Sequence, residues 1–309
     1  MNLLDSIEEI YKKKISKIIT FLCTSMLLFL ASKPIRNKSL IPNKIKKTSD
    51  FINSHKMFIE SHRGMNKEVF ENTLEAFSKA IEHNIDCIET DVWLTKDKVL
   101  AIVHGKGVWG NIKRWYGVSK SITNLTWKKL SKYRTIRDNL KMPTLNEVME
   151  LAKNKILINL EIKDPRIDLV FPYITDLIEK YDFYDQIFFT SFYYEYYNKT
   201  VEYNKKTGKN ILFEFAYREN ATESEFDFTK KGNIMSIYWK NVTKEICDKA
   251  HANGMIVSAS LRFDNENTNI YKKMIEYGVD IISCNEPSFA KKYRDFYYKK
   301  YNINNSFKP

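Results

Sequence analysis

From residue 57 onward, short apolar runs alternate with longer stretches whose apolar positions recur every three or four residues. The short runs predict strands at 57–61, 86–94, 98–103, 156–162, 186–192, 210–216, 234–238, 254–259 and 279–284. Helices are predicted from Asn72 through Leu74, Phe77 and Ile81, and then at 126–133, 144–152, 169–180, 196–206, 243–253 and 269–277. Asn72 looks like the cap of the first helix, with Glu75 three residues on completing a capping-box pair. Strands that alternate with helices argue for parallel βαβ units. A strand count near eight favours closure into an α/β TIM (β/α)8 barrel over an open sheet.

Two segments break the alternation. Residues 18–31, I-I-T-F-L-C-T-S-M-L-L-F-L-A, carry no charge and are shorter than the roughly 20 residues a comfortable membrane span needs. The expected organisation is a signal-anchor or signal peptide at 1–32, a basic linker at 33–54, the barrel at 55–290 and a basic aromatic tail at 291–309. The far flank of the hydrophobic run is lysine-rich, so its orientation stays open between membrane attachment and a secreted or endomembrane lumen location after cleavage. The second break is the long connection 104–143, where Trp109, Trp115, Tyr116 and several glycines suggest a lid or a lipid-facing loop.

Composition narrows the classes. Hydrophobic residues make up 43% of the 309, enough for a large core. Fifty Lys and Arg against 38 Asp and Glu give a net charge of +12, which suits a polyanion or an anionic membrane surface. No nucleic-acid-binding motif accompanies the charge, so a membrane surface is the expected partner. The four cysteines are widely spaced and include no CxxC pair, which argues against a zinc site or a disulfide scaffold.

The candidate chemistry sits at the ends of the apolar runs. Glu89 and Asp91 are two apart on one strand and so share a face, and Glu161 and Lys163 do the same on another. Three buried carboxylates repel one another unless a cation joins them. Glu89, Asp91 and Glu161 are oxygen donors that suit a hard divalent ion, Mg²⁺ or Ca²⁺, and Arg63 and Lys163 are the nearby cations. His62 and His104 add a general base and a general acid, with an ordinary pKa near 6.5. Metal, cations and paired histidines together describe a site for phosphodiester cleavage.

These residues stand in the motifs His62-Arg63-Gly64, Glu71-Asn72-Thr73, Glu89-Thr90-Asp91, Thr95-Lys96-Asp97, His104 and Glu161-Ile162-Lys163. The set resembles the glycerophosphodiester phosphodiesterase family of TIM-barrel enzymes. By that resemblance Glu89, Asp91 and Glu161 hold the divalent ion, Arg63 and Lys163 contact phosphate, and His62 and His104 are the acid–base pair. The implied substrate is a glycerophosphodiester or a lysophospholipid.

Four positions depart from the family pattern. Phe70 replaces a usual Pro, Gly105 replaces a usual Asp after the second histidine, V-S-A-S-L-R lacks the usual Trp-Thr, and Cys284-Asn285-Glu286-Pro287 stands for T-D-x-P. The His104-Gly105 pair is similar to the related sphingomyelinase D group. A sphingomyelinase D-like phospholipase that releases lipid headgroups is therefore the second reading, and a non-catalytic phospholipid-binding barrel the third.

Overall fold

A computed structural model describes residues 47–48, 56–229, 232–261 and 265–303. The hydrophobic run at 18–31 and most of the linker lie outside these residues, and no described helix is long and apolar enough to cross a membrane. Nine strands form one sheet: β1 (Phe58–Ser61), β2 (Cys87–Leu94), β3 (Leu100–Ile102), β4 (Leu157–Ile162), β5 (Ile187–Ser191), β6 (Phe213–Ala216), β7 (Ile234–Tyr238), β8 (Ile256–Ser260) and β9 (Ile281–Cys284). Around them run α1 (Leu74–Glu82), α2 (Lys113–Tyr116), α3 (Trp127–Leu130), α4 (Leu145–Ala152), α5 (Ile167–Tyr181), α6 (Glu195–Thr207), α7 (Lys244–Ala252), α8 (Thr268–Glu276) and α9 (Pro287–Lys300).

Eight of the strands are parallel neighbours, and β1 closes the ring by pairing with both β2 and β9. This is the expected (β/α)8 barrel, with one correction. The run at 98–103 is not a barrel strand: β3 lies antiparallel to the second half of β2, with Leu94 opposite Leu100 and Val92 opposite Ile102. Its reversal is built by the T-K-D motif. Thr95 donates to Asp97 at 2.8 Å and accepts from the Val99 amide, while Asp97 also accepts from the Trp127 amide.

The strand alternation stacks the barrel interior in layers. An apolar floor is formed by Phe58, Cys87, Leu157, Phe188, Leu212, Ile234 and Ile281. Two residues further along each strand the lining turns polar, with Glu60, Asn159, Thr190, Glu214, Ser236, Ser258 and Ser283. Asn159 bridges two carboxylates there, its Nδ2 donating to Glu60 and to Glu214 at 2.9 Å each. Thr190 donates to Asn159 and to Glu214. Burial and the nearby Glu214 push the Glu60 carboxyl up to about 8. Two residues higher again come His62, Asp91 and Glu161.

Two boundaries differ from the sequence reading. The first helix is capped by Thr73, whose hydroxyl accepts from the Ala76 amide, because Asn72 is turned inward for another purpose. The boundary drawn at residue 290 falls inside α9, which belongs to the barrel's outer layer. Arg294 of that helix is buried, donates to the Met57 carbonyl at 2.8 Å and pairs with Asp86. Tyr298 accepts from the Met57 amide. Tyr293, Phe296, Tyr297 and Tyr298 of the basic aromatic segment thus lie on a helix tied to the residue that leads into the first strand.

Candidate active site

The chain leaves β1 through a turn in which Arg63 and Gly64 both take positive φ, 59° and 78°. A side chain at Gly64 would put its Cβ 2.9 Å from Ala76, so glycine is required there. The left-handed Arg63 aims its amide at Glu89, with N to Oε2 at 2.9 Å. Its guanidinium reaches Asp91 at 3.1 Å and Glu71 at 2.8 Å. Asn72, also left-handed at φ 56°, donates to Asp91 at 2.7 Å and accepts from Thr90 at 2.9 Å. Within the E-N-T motif Thr73 is the helix cap, while Asn72 clamps the strand that carries the metal-type carboxylates.

Lys163 completes the set, 3.2 Å from Asp91 and paired with Glu161. Glu89, Asp91 and Glu161 are all buried, and each offers an oxygen within 4.8 Å of the others. Four carboxylates, counting Glu71, face two cations, which leaves two negative charges for a divalent ion to balance. Among the described residues Glu89 Oε1 is buried with no hydrogen-bond partner. An oxygen-only donor set with an excess charge and an orphaned oxygen fits a hard divalent cation.

The electrostatics follow from that crowding. Burial, then repulsion from Asp91 and Glu161, pushes the Glu89 carboxyl well above the usual range. Burial alone would raise Asp91 too, but Lys163 and Arg63 outweigh it and hold Asp91 well below the usual range.

The two histidines arrive differently. His62 follows β1 directly, and its Nδ1 bonds Asn285 Oδ1 at 3.0 Å across the seam where β9 ends. Asn66 donates to the same oxygen at 2.5 Å. An amide oxygen accepts, so His62 donates from Nδ1 and carries its lone pair on Nε2. His104 reaches the mouth because antiparallel β3 carries the chain back beside Asp91, whose carbonyl accepts from the Val103 amide. Its ring lies 5.1 Å from Trp115, and the Trp115 indole donates to Glu71 at 2.6 Å. The expectation of a near-neutral pKa fails for His104. Burial, with Arg63 and Lys163 nearby, overcomes the pull of Asp91 and lowers it to about 3.

Gly105 is explained by packing. It has φ 61°, and a Cβ there would sit 2.8 Å from the Trp93 indole nitrogen, which donates to the His104 carbonyl. Asn285, Glu71 and Trp115 were not singled out as site residues from the sequence. Each carries a signal without a role: Glu71 opens the Glu71-Asn72-Thr73 motif, Trp115 is one of the aromatics of the long connection, and Asn285 departs from T-D-x-P.

Replacing Asn285 with Asp should raise the basicity of His62, since a carboxylate favours the imidazolium that a neutral amide does not. The acid limb of the pH–rate profile is expected to move up by about one unit. An unmoved limb in the Asn285→Asp enzyme would mean that His62 does not titrate in the reaction.

Buried carboxylates, two cations and two histidines at the carboxyl end of a parallel barrel define a TIM-barrel phosphodiesterase site. The sequence family can then be stated. Residues 62–288 match the model of the glycerophosphoryl diester phosphodiesterase family, and the chain belongs to that family as one of its phosphodiesterases. A glycerophosphodiester phosphodiesterase of Caldanaerobacter subterraneus subsp. tengcongensis is 29% identical over 75% of this chain and 95% of its own. Human lysophospholipase D GDPD1 is 29% identical over 44% of each. A crystal structure of a putative glycerophosphodiester phosphodiesterase from Galdieria sulphuraria superposes with a TM-score of 0.68 at 24% identity, covering 77% of this chain and 98% of that one.

Proposed function

We propose that this barrel hydrolyses glycerophosphodiesters or lysophospholipids at a membrane surface, with a divalent ion, Mg²⁺ or Ca²⁺, held by Glu89, Asp91 and Glu161. The observation that carries the reading is the convergence of those three buried carboxylates with Arg63 and Lys163. When bound, the ion would supply charge neutralisation at a phosphoryl oxygen. Arg63 and Lys163 bind and orient the phosphodiester beside it. His62, with its lone pair on Nε2, takes the proton from the attacking oxygen, either water or a neighbouring hydroxyl of the substrate.

His104 is neutral before substrate arrives. The negative phosphodiester favours its imidazolium, so the proton that it passes to the departing alkoxide is taken up together with the substrate. The likeness to a lysophospholipase D supports a lipid substrate class. A non-catalytic barrel would have no use for so costly a buried charge cluster. The hydrophobic run at 18–31 supports membrane association.

The test is to incubate the full chain with glycerophosphocholine and with lysophosphatidylcholine, with and without chelator. Turnover of at least one is expected to fall by about 10²-fold or more on chelation and to return with Mg²⁺ or Ca²⁺. Turnover indifferent to chelator would remove the metal from the mechanism, and no turnover of either substrate would remove the substrate class.

A further inference from the structure

We infer that the segment between β3 and α4 is a docking surface for an anionic lipid bilayer, with Val108 and Trp109 at its tip entering the headgroup layer. A large share of the positive charge lies there. Residues 105–142 hold seven Lys and three Arg against a single Asp and no Glu, so this segment carries +9 of the chain's +12. All but Arg134 of those cations are exposed. Lys106, Lys113 and Lys120 form no ion pair among the described residues.

The tip is a built feature. Lys106 and Asn111 exchange backbone hydrogen bonds at 2.9 and 2.8 Å, and the Gly110 amide donates to the Gly107 carbonyl at 3.2 Å. Val108 and Trp109 are therefore the two corner residues of a tight turn flanked by left-handed glycines, φ 67° and 63°. Corners of such turns in water are ordinarily Gly, Pro, Asn, Asp or Ser. Here they are large and apolar, 54% and 57% exposed. The bridge between Asn111 and Ser121, and the Ile112 amide bonded to the Lys120 carbonyl, bring Lys113 and Lys120 alongside the turn.

The base of the segment is packed. Trp93, Ile112, Trp115, Tyr116, Ile122 and Leu130 form a small core of their own. The apolar tip is thus held outward by packing, with lysines around it. An apolar aromatic wedge ringed by cations is the pattern that binds an interface where anionic headgroups lie above acyl chains. A nucleic acid would take up the same charge, but it has no use for a valine held at a turn corner. The tip lies four and five residues from His104, so a docked bilayer brings lipid headgroups to the mouth of the site. Only this last step rests on the phosphodiesterase reading; the docking does not.

The experiment uses the full chain with phosphatidylcholine vesicles, with and without about 30% phosphatidylglycerol, their acyl chains brominated to quench buried indoles. Wild-type tryptophan emission should be quenched on the anionic vesicles, and Trp109→Phe should bind with most of that quenching lost. The triple variant Lys106→Glu, Lys113→Glu, Lys120→Glu should partition about tenfold or more weakly onto anionic vesicles, with binding to neutral ones unchanged.

Soluble glycerophosphocholine turnover, measured alongside, should stay within twofold in each variant. If wild type turns over neither glycerophosphocholine nor lysophosphatidylcholine while docking holds, the phosphodiesterase reading fails and the docking stands. Quenching that Trp109→Phe leaves intact, or anionic partition that the triple variant leaves within twofold, overturns the docking surface. So does an RNA oligomer that binds the wild type more tightly than the vesicles and equally tightly after Trp109→Phe.

Discussion

Asp91→Asn should lower kcat/KM by about 10³-fold or more, a loss of about 4 kcal/mol of transition-state stabilisation. Asp91 is the carboxylate on which the site converges: Arg63, Lys163 and Asn72 all contact it. An amide keeps the shape and part of the hydrogen bonding but removes the charge that both cations answer. It also takes away one of three anionic donors for a divalent ion. The partly buried Arg63 and Lys163 then face each other with less compensation around the buried Asp91 position, and breaking a buried pair typically costs about 3–5 kcal/mol of stability. Steady-state kinetics alongside a thermal melt separate the two effects. Retention of more than a tenth of wild-type kcat/KM in a folded Asp91→Asn enzyme would contradict the assigned role.

The second large effect lies below the site. Glu60 has a folded pKa of about 8 against an ordinary value of 4.5, so the native state prefers its protonated form. Stability is then favoured below pH 4.5 and declines as pH rises from there to about 8, above which the deficit is constant. Glu60→Gln removes the titration while leaving an uncharged amide beside Glu214. The variant should melt close to wild type near pH 5 and well above it near pH 9. A gain on the order of a few kcal/mol corresponds to roughly 10 °C in a domain of this size. A Tm difference that does not change between pH 5 and pH 9 would mean that Glu60 is ionised in the native barrel throughout.

Much of the site was legible because strand alternation is a strict rule. Glu89 and Asp91, or Glu161 and Lys163, two apart in apolar runs, have to share a face, and the barrel brings those faces together. Other residues were opaque for identifiable reasons. Asn72 looked like a cap because Asn-x-x-Glu at a helix start is a local signal, whereas its actual partners, Thr90 and Asp91, are 18 and 19 residues away. The strand at 98–103 has the same composition whether parallel or antiparallel, and only its pairing reveals the direction. Glu60 and Glu214 are single polar residues in separate apolar runs, and their meeting through Asn159 depends on the stagger of the closed ring. The pKa of His104 could not be read either, because it is set by burial rather than by neighbours in the chain.

The seam between β1 and β9 is where the two ends of the barrel meet. His62 lies on one side of it and Asn285 on the other, and Arg294 and Tyr298 fasten the same first strand from the last helix. The residues that orient the proposed base are thus separated by more than 220 positions of chain. No partially assembled barrel contains both. The orientation of His62 is a property of the completed ring, and its geometry reports that the first strand and the last have found each other.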